Sequence, residues 1–371
     1  MLVWFVLRFR ATHFTQDDRK KKKESSHAEL VEASPRALFH FPTPFVCPPG
    51  IALRRLGACR RIRMGFIRDP MKKLLFLTIT FVTMISARPG SEPFISGDTF
   101  RKYANFIMDR KYDFIKNQDT RFNPKDVKKG DIIFVDLSCM EEFFTKFHPK
   151  IRSKYILITH NHDYSAPGKY FNYLKDKNLY VWFTQNADIA CHPKLIPIPI
   201  GLSNKHWNQS KGNDTQLKLM QEKFKFNEFK KYLLYGNFNV NTNPRLRKPI
   251  QVYFKKFPFC LWNLGRPKPY EEYLEDLVYS KFVLSPHGNG LDCIRTWEAL
   301  YMGSYPVVKT SSLDQLYQDL PVLIVNKWED VTQEFLEKKY FEMKSKKYNL
   351  NKLYFDYWLD LIILYQKNLL S

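Results

Sequence analysis

From residue 96 onward, short apolar runs alternate with stretches in which apolar residues recur every three or four positions. The first pattern predicts buried strands and the second predicts amphipathic helices. Phe100, Tyr103, Phe106 and Ile107 predict one face of a helix over Thr99–Lys116. Asp131–Leu137 (DIIFVDL) then predicts a strand, Glu141–Phe147 a helix, Tyr155–Thr159 a strand, Lys169–Leu174 a helix and Tyr180–Phe183 a strand. Leu195–Ile200 (LIPIPI) is apolar but broken by proline, which predicts an irregular edge strand. The polar stretch from Gly201 to about Thr215 is the best place for a boundary between two lobes.

The alternation restarts at Tyr232–Tyr235, a strand running into Gly236-Asn237-Phe238-Asn239. Asn243-Pro244-Arg245 opens a helix to about Phe254, with proline in the first turn where its missing N–H costs nothing. Tyr270–Tyr279 predicts a helix, Phe282–Leu284 a strand, and Leu291, Ile294, Trp297 and Leu300 the apolar face of another helix that Gly303 ends. Strands at Tyr305–Val308 and Pro321–Val325 and helices at Thr332–Lys346 and Lys352–Leu369 close the chain. Strands alternating with helices predict an α/β fold of parallel layers. The divisions are an N-terminal lobe over 96–208, a C-terminal lobe over 216–349 and a terminal helix over 350–371.

Candidate chemistry concentrates between the strand at 282 and the helix after 291. Ser285-Pro286-His287-Gly288-Asn289-Gly290 is a turn with two glycines that permit close approach of backbone to a ligand. Its amides lead into a helix N-terminus, where anions such as phosphate bind. Asp292, Arg295 and Glu298 recur at spacing three and predict a charged stripe. As ligands, Arg295 meets a diphosphate and Glu298 a pair of ribose hydroxyls; as a plain surface, the three pair with one another. Arg245 and Arg247 near the start of the 243–254 helix read either as diphosphate clamps or as an ordinary basic helix start.

The run of Phe282, Pro286, Gly288, Arg295, Glu298-Ala299-Leu300, Gly303 and Pro306-Val307-Val308 resembles the C-terminal signature of exostosin-like glycosyltransferases (family 47). That resemblance covers about thirty residues and continues more loosely to Val325. It implies a GT-B fold: two Rossmann-like lobes, the nucleotide-sugar donor in the C-terminal one, and a last helix crossing back to the first lobe. It also implies that Arg295 and Glu298 are donor ligands. From their own positions at the helix start and in the glycine turn, Arg245, Arg247, Ser285, His287, Gly288, Asn289 and Gly290 are expected to join them in binding the donor. The implied partners are a nucleotide-diphosphate sugar and a glycan acceptor.

The front of the chain reads differently. Residues 1–70 hold 14 Lys/Arg against 6 Asp/Glu, which takes 8 of the net +22 away from the predicted lobes. They carry Arg19-Lys20-Lys21-Lys22-Lys23, a proline-rich stretch and an arginine-rich run, with no sustained period. They are expected to be a non-native or disordered extension. MKKLLFLTITFVTMISARPG from Met71 has the grammar of a secretory signal peptide, with 71–87 as the leader. Translation from Met71 and export through a secretory route are therefore expected, with the membrane involved only if that segment stays uncleaved. The remaining charge is spread along helices with no dense basic block and no aromatic RNA motif, so nucleic acid is not an expected partner.

Tyr155–Thr159 ends at His160-Asn161-His162-Asp163. Two histidines and an aspartate after a strand suit zinc, so a zinc-dependent hydrolase is one alternative function. The spacing departs from the usual metallo-hydrolase form, and no later histidine completes it. The preferred reading places this loop at the interlobe cleft, with Asp163 as the general base that takes the acceptor hydroxyl's proton. Asp163 as a cap, and Asp136 as the base, are rival assignments; Gln185-Asn186 and the Gly201–Trp207 loop are further candidates for lining the site. Cys139, Cys191, Cys260 and Cys293 form no metal-ligand spacing and permit disulfides without demanding them. No metal or other cofactor is expected, because loop amides and arginines can neutralise a leaving diphosphate. A second alternative is a non-catalytic carbohydrate-binding relative.

Overall fold

A computed structural model describes residues 90–110, 122–205, 207, 211–225, 227–263 and 268–371. The 1–70 extension, the signal-like 71–87 segment and the end of the first predicted helix lie wholly or partly outside the described residues. The described residues fold into two parallel five-stranded sheets with helical covers, a two-lobed α/β architecture.

The first sheet holds β1 (Phe106–Met108), β2 (Ile132–Asp136), β3 (Tyr155–His160), β4 (Leu179–Thr184) and β5 (Leu195–Pro197). They lie side by side in chain order. Each step moves in the same direction, so right-handed crossovers put every connection on one face. That face is packed by Phe144 and Tyr173 of the connections, stacked at 4.3 Å, with Phe144 5.2 Å from Trp182 of β4. The opposite face then needs a cover from elsewhere in the chain.

Helix α1 (Gly97–Lys102) is shorter than its apolar spacing predicts. Asn105 leaves the helix to exchange hydrogen bonds with Ile132, donating from its amide at 2.8 Å and accepting at its side chain at 2.8 Å. Phe106 and Ile107 therefore extend an edge strand instead of a helix face. Aromatic and β-branched residues fit either pattern, and tertiary pairing decides.

The second sheet is built from β6 (Tyr232–Gly236), β7 (Cys260–Trp262), β8 (Ser280–Leu284), β9 (Tyr305–Lys309) and β10 (Leu323–Val325), in the order β10-β9-β8-β6-β7. The longer helices are α2 (Asn213–Lys223) before β6, α3 (Pro244–Phe254), α4 (Tyr270–Val278), α5 (Ile294–Tyr301), α6 (Gln333–Lys344) and α7 (Phe355–Leu370). The chain steps one way from β6 to β7 and then back past β6 to β8. The connecting helices consequently fall on opposite faces. Leu234, Phe282, Leu284 and Val307 pack with Ile250 and Phe254 of α3 and with Leu336 and Met343 of α6. Tyr235, Val283 and Val308 point the other way, into the core shared with Leu274, Trp297 and the first lobe. This period-two division is what the strand sequences encode.

Helix α7 covers the exposed face of the first sheet. Tyr365 meets Phe183 at 5.5 Å, Phe355 meets Phe100 at 5.2 Å, and Gln366 Nε2 donates to the carbonyl of Gly130 at 2.8 Å. The terminal helix thus crosses back, as the resemblance implies. No helix among the described residues is long and apolar enough to cross a membrane.

Candidate active site

In a doubly wound sheet, ligands bind outside the carboxyl ends of the strands where the winding reverses. Here that point lies between β6 and β8. A cleft of ≈ 400 Å³ opens there. Its walls come from Asn237–Asn239 after β6, Gly288–Gly290 after β8, the first turn of α5, and Asp163 and Ile200 of the first lobe.

Arg247 and Arg295 enter the cleft from α3 and α5 and flank one ring. Their guanidinium carbons stand 5.6 and 5.5 Å from the Phe238 centroid. A ring face attracts a cation, so Phe238 offsets part of the repulsion between the two. Arg247 is buried, with each of its guanidinium nitrogens hydrogen-bonded. Its Nε donates to His287 O at 2.9 Å, its Nη1 to Asn239 O at 2.9 Å and its Nη2 to Pro286 O at 3.2 Å. Burial and the charge of Arg295 both lower its pKa, opposed by Cys293 and Asp163. Arg247 therefore ties the glycine loop to the end of β6 while lending the cleft its charge. Arg295 is different: its Nε donates to Asn237 O at 2.6 Å, but its buried Nη1 has no hydrogen-bond partner. Few native buried donors go unpaired, and this one stands open to an acceptor in the cleft.

Glu298 lies one helical turn beyond Arg295, and its carboxylate is buried. Tyr270 donates to Oε1 at 3.0 Å and Tyr273 to Oε2 at 2.9 Å. Burial pushes its pKa up, while the two phenols and Arg295 pull it back. Each carboxylate oxygen retains a second lone pair. The tyrosines fix the carboxylate's orientation on the cleft wall.

Asp292 does not belong to this stripe, because α5 begins only at Ile294. It is buried at the junction of the lobes, accepting from Ile200 N (2.8 Å), Trp297 Nε1 (2.8 Å), Tyr317 Oη (3.0 Å) and Cys293 N (2.8 Å). Burial lifts its pKa to about 6 against the pull of those donors. Its own amide donates to Asn186 Oδ1 at 2.9 Å, and Asn186 Nδ2 donates to His162 O at 3.3 Å. Asp292, Arg295 and Glu298 thus make no surface pairs with one another. Each is committed to a different partner set.

Asp163 reaches the cleft from the opposite lobe. It is exposed and accepts a 3.4 Å hydrogen bond from Asn289 Nδ2. It also borders a smaller adjoining hollow of ≈ 40 Å³ that Asn204 and half-exposed Trp207 line. His160 is buried. The Asn161 amide donates to its Nδ1 at 2.8 Å, so Nε2 carries the proton and donates to Pro199 O at 3.0 Å. Burial lowers its pKa to about 4. With both ring nitrogens engaged by protein groups, the zinc-hydrolase alternative loses His160 as a ligand. His162 Nδ1 accepts from the Tyr164 amide at 3.3 Å and its ring lies 3.9 Å from that of Tyr164. No group of three His, Cys, Asp or Glu among the described residues is placed to hold a metal ion. Asp136 is buried and accepts from Ser138 N at 2.8 Å, capping the turn after β2.

Of the residues singled out in the sequence, the cleft gathers Asp163, Arg247, Gly288, Asn289, Gly290, Asp292, Arg295 and Glu298. Ser285 is not on its wall; it is buried with its Oγ 2.8 Å from Thr296 Oγ1. Arg245 and His287 line a separate hollow. Sequence reasoning missed Asn237, Phe238, Asn239, Thr242 and Tyr273 as cleft residues. The polar run directly after β6 was the available signal, since strand ends at a winding reversal are where ligands sit. The described cysteines are all free.

No protein-family model matches the chain, and no curated protein matches it. Among solved structures, the Candida albicans trehalose-6-phosphate phosphatase N-terminal domain is similar with 14% identity and a TM-score of 0.30, over 65% of this chain and 71% of that one. The crystal structure of TarM is similar with 14% identity and a TM-score of 0.30, over 63% of this chain and 55% of that one.

Proposed function

We propose that the chain is a glycosyltransferase of exostosin-like type, which moves a sugar from a nucleotide-diphosphate donor to a glycan hydroxyl. The observation that carries this reading is the unpartnered, buried Nη1 of Arg295 in the cleft between β6 and β8. The resemblance of residues 282–308 supports it from the sequence side.

In this reading the donor diphosphate lies against Arg295, with the charge of Arg247 behind it, and the ribose hydroxyls share the free lone pairs of Glu298. The acceptor enters from the first lobe beside Asp163. As the acceptor oxygen bonds to the anomeric carbon, its proton passes to Asp163 and the anomeric carbon–oxygen bond to the diphosphate breaks. The negative charge then grows on the diphosphate, where the fixed guanidinium groups stabilise the transition state more than the ground state. Protein cations serve this role in the proposal, which calls for no cofactor.

The test is a panel of nucleotide-diphosphate sugars screened by thermal shift, followed by assay of sugar release or transfer for each binder. A ligand that binds only the folded state raises the melting temperature by mass action. Saturable stabilisation and turnover with at least one donor is expected. Stabilisation by none contradicts the proposal, and binding without turnover favours a carbohydrate-binding relative.

A further inference from the structure

The glycine loop has two sides. Gly288, Asn289 and Gly290 face the cleft, whereas Pro286 and His287 wall a second hollow of ≈ 440 Å³. This hollow sits beyond the carboxyl ends of β8 and β9, with α3 from Arg245 to Tyr253 on its other flank. We infer that it is a second binding site, for a small saccharide carrying a phosphate or carboxylate group.

The charge of the hollow argues for an anion. Arg245, Lys309 and His287 converge on it, and the facing carboxylate is Glu329. Arg245 and Lys309 are exposed, and among the described residues neither forms an ion pair. Lys309 and Arg247 add to burial in lowering the pKa of His287, so the local potential is positive despite Glu329. Its walls argue for a ring. Trp328 and Tyr253 are half-exposed, and Pro286 and Ile250 form an apolar floor between them. An amphipathic ring with one face against such side chains and a charged substituent toward the cations satisfies both halves of the surface. A free phosphate would leave the aromatic walls unused. A neutral sugar would leave the cations unused.

The full chain can be titrated with glucose 6-phosphate, glucuronate, glucose and inorganic phosphate while the imidazole resonances are followed by NMR. His287 is assigned with His287→Gln. Both anionic sugars are expected to shift the His287 signal saturably and to raise its pKa, by about one unit, because a nearby anion favours the charged ring. Arg245→Ala with Lys309→Ala removes two exposed cations without touching the core and should weaken binding at least about tenfold. Arg295→Ala, in the cleft, should leave this binding unchanged. The inference is overturned by the absence of saturable binding, by glucose or inorganic phosphate binding as tightly as the anionic sugars, or by unchanged affinity in the double variant.

Discussion

Asn289 of the glycine loop donates to Asp163 of the opposite lobe at 3.4 Å, so the two lobes touch at the mouth of the cleft through the proposed base. Asp163→Asn keeps the size of the side chain but removes its capacity to take a proton. Turnover should fall about a hundredfold to ten-thousandfold, the usual worth of a positioned base. Donor affinity should stay close to that of the wild type. Steady-state assay with the best donor, paired with calorimetric titration, checks both. Unchanged turnover would remove Asp163 from the mechanism.

The layer order was legible because buried strands and helix faces carry different periods. Leu234, Phe282 and Val307 against Tyr235, Val283 and Val308 already alternate in the sequence as they do in the sheet. The end of α1 was not legible, since Phe106 and Ile107 satisfy a helical spacing until Asn105 pairs with Ile132. Arg295 and Glu298 were visible from the glycine-loop signature. Asp292 was misread because spacing alone assumes that the helix is already under way, whereas the chain first turns to bond Ile200 and Asn186. Arg245 and Arg247 are two residues apart, and on a helix that separation sends them to different sides: one to the cleft, one to the second hollow.

Gly290 tests how closely the lobes must approach. A Cβ at that position would lie 2.6 Å from Asn186 Nδ2 and 3.2 Å from Asn186 Cγ. Asn186 cannot withdraw freely, because it bonds both Asp292 N and His162 O. Gly290→Ala should therefore destabilise the fold by about 1–3 kcal/mol through overpacking. Gly288→Ala, where the nearest atom is Arg247 Nη2 at 3.1 Å, should cost less. Urea denaturation of both variants settles the order, and equal stabilities would contradict it.

His160 gives the stability a pH signature. Its folded pKa is about 4, below the ordinary 6.5, because burial disfavours the charged ring. A depressed folded pKa means that its contribution is fully present above about pH 6.5 and is lost as the pH falls toward 4. Wild type minus His160→Gln should thus lose stability on the order of 3 kcal/mol across that window. Denaturation curves at several pH values measure it. A difference that stays flat would contradict the burial of a neutral imidazole.

Glu298→Gln should lower both donor affinity and stability. An amide presents one acceptor oxygen and one NH2 to Tyr270 and Tyr273, so one phenol can only accept and its own buried O–H is left without an acceptor. An unsatisfied buried group costs about 1–3 kcal/mol. Tyr270→Phe in the Glu298→Gln background should return part of that stability without returning donor affinity. Additive losses from the two substitutions would show that the phenol and the carboxylate do not act together.

The central claim rests on Arg295, whose buried Nη1 awaits an acceptor. Its most direct test is calorimetric titration of wild type and Arg295→Ala with the best nucleotide-diphosphate sugar, alongside the matching nucleoside. Loss of a charged hydrogen bond worth about 1.5–3 kcal/mol predicts donor affinity about ten- to a hundredfold weaker in the variant. Affinity for the nucleoside, which lacks the diphosphate, should change little. Equal donor affinity in wild type and variant would contradict the account.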